Sequence, residues 1–96
     1  MIEFEWDSHN IKHIIEDYPE RENTISEVES IFDDPFVQFR SVNQRSYERR
    51  YTALGFSNIG RIRVVVFAFN NGKVRPITCW PANTQTKREY YERVKN

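Results

Sequence analysis

The chain has 96 residues, 39% apolar and 15% aromatic, with 14 Lys+Arg against 14 Asp+Glu and so no formal net charge. That size gives room for one domain spanning 1–96 around a single modest core, and no apolar stretch or basic, apolar start suggests a membrane span or signal peptide, so a soluble, cytoplasmic protein is expected. A lone Cys79, set in an apolar run, excludes an internal disulfide or a Cys-based metal site and reads as buried filler rather than a nucleophile.

In chain order, Ile2, Phe4 and Trp6 alternate with Glu3, Glu5 and Asp7, which predicts a short half-buried strand. From Ser8 the period turns helical, with Ile11, Ile14, Ile15 and Tyr18 on one stripe, Asp7 or Ser8 as the cap, and Pro19 at or just past the end. Thr24 and Glu27 have the spacing of a capping box for a second helix whose inner face carries Ile25, Val28, Ile31 and Phe32, stopped by Asp33-Asp34-Pro35. Strands follow over Phe36 to Val42, Tyr47 to Phe56, Arg61 to Phe69 and Lys73 to Trp80. The turns Ser57-Asn58-Ile59-Gly60 and Asn70-Asn71-Gly72 are short enough to force hairpins. Pro76 removes a ladder donor and asks for an edge or a bulge. A last helix is expected to start near Thr84 or Thr86, with Glu89 three after Thr86, and to pack Tyr90, Tyr91 and Val94. The order β-α-α-β-β-β-β-α with one antiparallel sheet is an α+β domain.

Charge divides sharply along the chain. Residues 1–39 hold 11 Asp/Glu and 2 Lys/Arg, and residues 40–96 hold 3 and 12, so −9 cancels +9. The basic half also carries eight aromatics between Tyr47 and Tyr91, the composition of a surface that meets an anionic polymer such as nucleic acid. Alternatively, the two halves face each other across the fold and form surface ion pairs.

Several segments resemble the BrnT toxins: Phe4-Glu5-Trp6-Asp7, Asn10-Ile11, Glu27-Val28-Glu29 with Phe32-Asp33-Asp34-Pro35, Glu48-Arg49-Arg50-Tyr51 running into Ala53-Leu54-Gly55, Gly60-Arg61 with Val64-Val65-Val66-Phe67, and Val74-Arg75 with Ile77-Thr78. The resemblance spans nearly the whole chain and rests on the joint order and spacing of these pieces. It implies a RelE-like fold and the toxin of a bacterial type II toxin–antitoxin system. It further implies a metal-independent ribonuclease that arrests growth and translation. The implied partner is a BrnA-like antitoxin, in a complex of two toxins and two antitoxins whose ribbon-helix-helix domain, rather than the toxin, contacts operator DNA.

RNA cleavage without a metal or other cofactor needs a base for a 2′-hydroxyl, an acid for the leaving 5′-oxygen and cations for the pentacoordinate phosphate. His13, opposite the apolar stripe of its helix, is a candidate base or acid. His9 lies one turn earlier; a His-x-x-x-His pair beside Glu16 lacks a third assigned ligand, so no metal is expected. Arg50 shares a strand face with Glu48, which serves as base or as the group that holds Arg50 in place. Arg75 is the first choice for phosphate contact. The catalytic candidates are thus His13, Glu48, Arg50 and Arg75. Arg61, Arg63, Lys73 and Tyr51 are the nucleic-acid-binding candidates, with the two arginines either reaching toward phosphate or simply solvated, and with Tyr51 and Trp80 either stacking a base or filling the core.

Three expected basic positions depart from the family pattern: the Lys-His or Arg-His pair of the first helix reads Glu16-Asp17-Tyr18, the place of the Arg that commonly follows the Val-Val-Phe/Tyr strand falls near Asn70, and the Ala-Arg pair after the last strand reads Cys79-Trp80. These departures support an alternative, a catalytically degenerate binding module that acts with the antitoxin in transcriptional autorepression.

Overall fold

Two tight turns organise the sheet. In the computed structural model, which describes residues 1–42 and 48–95, Asn71 and Gly72 both take positive φ, 52° and 77°. This reverses the chain within two residues and lays β3 (Ile62–Asn70) against β4 (Lys73–Pro81). The other hairpin joins β2 (Arg50–Phe56) to β3; Gly60 takes φ 83°, and Ser57 N donates to Arg61 O at 2.7 Å. β1 (Gln38–Val42) pairs outside β2, so one antiparallel four-stranded sheet has the order β1-β2-β3-β4.

The helices are α1 (Ser8–Ile11, prolonged by a π turn over Lys12–Glu16), α2 (Ile25–Ser30, prolonged by a 3₁₀ turn over Ile31–Asp33) and α3 (Thr84–Lys95). The chain is therefore a single α+β domain, as its patterning predicts. Strand alternation gives the sheet two apolar sides. Ala53, Val65, Phe67, Val74 and Cys79 pack with Ile14, Val28, Ile31 and Phe32 from the α1 and α2 region. On the other side, Leu54, Ile62 and Val64 pack with Ala82 and with Tyr90 of α3.

Several boundaries differ from expectation for identifiable reasons. The strand predicted at Ile2 to Trp6 reduces to one parallel bridge, Phe4 opposite Val74, with Glu5 N to Val74 O and Val74 N to Glu3 O both at 2.8 Å. It stops there because the next outward-facing residue of β4 is Pro76, which has no N–H and whose carbonyl accepts from Asn10 Nδ2 instead. Pro76 meets both of its expected conditions. It lies on the edge strand, beside a bulge where the register slips from Val66–Thr78 to Phe67–Pro76 and leaves Ile77 over. β1 begins at Gln38 rather than Phe36 because Phe36 N and Val37 N are both taken by Asp34. β2 begins at Arg50; Tyr47, the predicted start, lies outside the described residues. Asn83, rather than a threonine, caps α3 by accepting from Thr86 N at 2.8 Å, and Tyr91 is half exposed.

The second helix holds the main surprise. Thr24 Oγ1 does accept from Glu27 N at 3.1 Å, but the Glu27 carboxylate turns into the protein, where it is 2% exposed. There it accepts from Arg61 Nε at 3.0 Å and the Ser57 hydroxyl at 2.8 Å, and lies 3.6 Å from Nε of Arg63, itself 3% exposed. Burial raises the Glu27 pKa, yet the bonds from Arg61 and Ser57 and the charge of Arg63 more than offset it, so the carboxyl titrates below its ordinary value.

Removing one partner of a buried ion pair leaves the other unpaired in the interior. Glu27→Gln is expected to lower the unfolding free energy by about 3 kcal/mol in urea titration at neutral pH. Because the folded pKa is depressed, Glu27 contributes fully above the ordinary carboxylate value of 4.5 and loses its contribution as pH falls through the folded value, so the variant's stability should vary less with pH on the acid side. An unchanged urea midpoint would remove Glu27 from this role. At Gly55 a Cβ would lie 2.9 Å from Ile31 O and 3.0 Å from Ile31 Cγ2. Gly55→Ala must push the end of α2 off the sheet, and thermal unfolding should report a loss of about 1–3 kcal/mol.

Candidate active site

Asp7 starts α1 by accepting from His9 N at 2.9 Å and Asn10 N at 3.1 Å, and Asn10 Oδ1 closes the capping box on Asp7 N at 2.8 Å. The buried Asn10 amide also donates to Glu5 O at 2.9 Å and Pro76 O at 3.0 Å, which pins the helix start to the β4 bulge. His9 and His13 are thereby held beside Arg75. The π turn closes just beyond His13, where Asp17 N donates to Lys12 O at 2.9 Å.

Alternation places Arg50 on the same side of the sheet as Leu54, and Arg75 stands opposite Ala68, whose side chain is only a methyl group. Where α1 passes the β4 edge, a cleft of about 340 Å³ opens onto this side of the sheet, lined by His9, Asn10, His13, Glu48, Arg50, Arg75, Pro76 and Ile77. All four residues assigned to catalysis from sequence line it.

Each cation in the cleft has a carboxylate beside it. Glu48 Oε2 is 3.6 Å from Arg50 Nε, which suits the role of holding Arg50 in place. Arg75 Nη1 lies 2.8 Å from Asp7 Oδ2 and 3.1 Å from Glu5 Oε1. Asp7 is held down to about 2, first by its bond from Arg75 and then by the backbone N–H of Asn10. Glu5 is lowered as well, mostly by the Asn70 side-chain amide, while Asp7 and Glu5 together raise Arg75. His13 Nδ1 is 3.7 Å from Asp17 Oδ2, and its ring meets Tyr18 edge-on at 5.4 Å. Asp17 is lowered chiefly by its hydrogen bond from Lys12. The cleft thus offers imidazoles for proton transfer and two guanidiniums for a phosphate. An incoming anion has to compete with Asp7 and Glu5 for Arg75.

None of the four nucleic-acid-binding candidates lines this cleft. Arg63 is buried under α2, bonded to Arg21 O at 2.9 Å and paired with Glu27, so it is a core cation rather than a phosphate contact. Arg61 binds the same carboxylate and the carbonyl of Glu22, with a third of its side chain left exposed. Tyr51 stacks on Phe67 at 5.6 Å and lines an apolar groove with Phe39 and Phe69 on the opposite side of the sheet. Lys73 is exposed at the hairpin tip and makes no ion pair among the described residues. The ion pairs of Arg61, Arg63 and Arg75 all join the acidic and basic halves, so for these three arginines the charge split turns inward.

Sequence reasoning missed Glu5 and Asn10. Asn10 was signalled by its place three residues after the cap Asp7; Glu5 carried no local signal, because its bond to Arg75 spans 70 positions. Among the described residues no three His, Cys, Asp or Glu side chains come together as a metal site. No protein-family model matches the chain, and no curated protein matches it significantly.

Proposed function

We propose that this chain is a BrnT-like toxin of RelE-like fold, a metal-independent endoribonuclease neutralised by a ribbon-helix-helix antitoxin. The observation that carries this reading is the convergence of His13, Glu48, Arg50 and Arg75, drawn from α1, the segment before β2, β2 and β4, on one cleft. In this mechanism His13 removes the proton of a 2′-hydroxyl, and the 2′-oxygen attacks the adjacent phosphorus. Arg50 and Arg75 balance the charge of the pentacoordinate phosphate. The P–O5′ bond breaks, the 5′-oxygen takes a proton from His9, and a 2′,3′-cyclic phosphate and a free 5′-hydroxyl result. Glu48 holds Arg50 for this task.

A second reading is favoured by the carboxylates that already occupy the cleft's cations, Asp7 and Glu5 on Arg75 and Asp17 beside His13. Under it the protein no longer cleaves RNA and acts with its antitoxin as an autorepressor.

Induced expression in bacteria, with and without the neighbouring antitoxin gene and with the protein level confirmed, separates the two. The ribonuclease reading expects growth arrest with RNA cleavage, both relieved by the neighbour. Arg50→Ala combined with Arg75→Ala should cut cleavage by about 10²-fold or more, with unchanged circular dichroism and retained antitoxin binding. Intact RNA and normal growth with the wild-type protein would support the autorepressor, and full toxicity in the double variant would overturn the site.

A further inference from the structure

On the side of the sheet that carries the cleft, strand pairing lines up two further rows. Gln38, Leu54, Val64 and Trp80 lie side by side across the four strands, and so do Arg40, Thr52, Val66 and Thr78. α3 borders the first row and leaves a pocket of about 170 Å³. Its apolar floor is Leu54 and Val64, and one wall is the indole of Trp80, which is 36% exposed. Gln38, 8% exposed, also lines the pocket, and its Nε2 has no hydrogen-bond partner among the described residues. A buried amide donor without an acceptor is unfavourable, and a ligand that brings an acceptor relieves it.

We propose that this pocket takes one base of a single-stranded RNA whose backbone continues into the Arg50 and Arg75 cleft. The inference rests on the ribonuclease reading above. The volume lies below the roughly 300–1,000 Å³ of sites for drug-sized molecules, and suits one small planar ring system. A nucleobase presents a π face to Trp80 and edge acceptors to Gln38, the two features that the pocket leaves unmatched. Leu54 in the pocket floor lies four positions along β2 from Arg50, roughly 13 Å at the rise of a strand. That path crosses the Arg40 and Thr52 row. Arg40 is 65% exposed and only 3.7 Å from Glu89, a surface pair that exchanges readily for a phosphate. Trp80 and Gln38 are therefore specificity-determining residues, distinct from the groups that do the chemistry.

The probes are 5′-labelled 2′-O-methyl tetranucleotides of A, C, G or U, which lack the attacking hydroxyl, and versions with each base in turn replaced by an abasic site, all at one salt concentration. Fluorescence anisotropy should show the wild-type protein binding at least one tetranucleotide roughly tenfold tighter than one of its abasic forms. Trp80→Ala should bind that parent only as well as the wild type binds the abasic form. Gln38→Leu should keep the stacking gain and lose the preference among bases, while Arg75→Ala should weaken all probes alike. Equal binding of parent and abasic probes by the wild type, or undiminished affinity in Trp80→Ala, would overturn the base pocket while leaving the RNA reading intact. Failure to bind any probe would overturn both.

Discussion

Glu27 is the group on which the arrangement of the molecule depends. A carboxylate that is 2% exposed stays ionised only because Arg61, Ser57 and Arg63 surround it, and those three residues come from β3 and the turn before it while Glu27 comes from α2. Meeting this requirement fixes how the helical layer sits on the sheet. It also settles what two arginines do. Arg63 shares its side of the sheet with Val65 and Phe67, so a long cation there either reaches solvent past α2 or finds an anion beneath it. Glu27 supplies the anion, so Arg63 becomes part of the core's polar framework and Arg61 closes it from the partly exposed rim.

The cleft on the opposite side depends on a different constraint, the missing N–H of Pro76. Because Pro76 cannot extend the bridge made by Phe4 and Val74, its carbonyl is left to Asn10, and that bond places the first turn of α1. Asp7 then has two tasks, capping α1 and pairing with Arg75. Helix start, bulge and guanidinium are thus coupled through Asp7 and Asn10. His13 is far from Arg75 in sequence and reaches the same cleft because the bulge and the cap bring their elements together.

What was legible in the sequence was local. Asn71-Gly72 and Gly60 fixed the hairpins because only certain residues tolerate positive φ, and the Val and Phe content from Arg61 to Phe69 marked a strand that runs from Ile62 to Asn70. Thr24 and Asp7 were readable as caps because a cap is a contact over two or three residues. Glu27 was misread for the same reason. Its spacing from Thr24 fits a capping box, and nothing within reach of that pattern reveals that Arg61, 34 positions on, claims the carboxylate. The Glu48 and Arg50 pair was readable from the period of a strand, whereas the burial of Arg63 depended on which element covers that side of the sheet. Tyr51 could be placed on a strand but not on the side away from the cleft, since the sequence leaves open which side of the sheet α1 and α2 cover.

The coupling of Asp7 to Arg75 limits how pH can act on the cleft. Asp7 is held at about 2 and Glu5 is also lowered, so both carboxylates stay charged well below neutrality, and Arg75, raised by them, stays charged well above it. The competition between these carboxylates and an incoming phosphate for Arg75 is therefore constant around neutral pH. Salt and phosphate density, not pH, set its outcome. The step that seats an anion is therefore decided at Arg75 and its carboxylates, apart from the step that moves a proton.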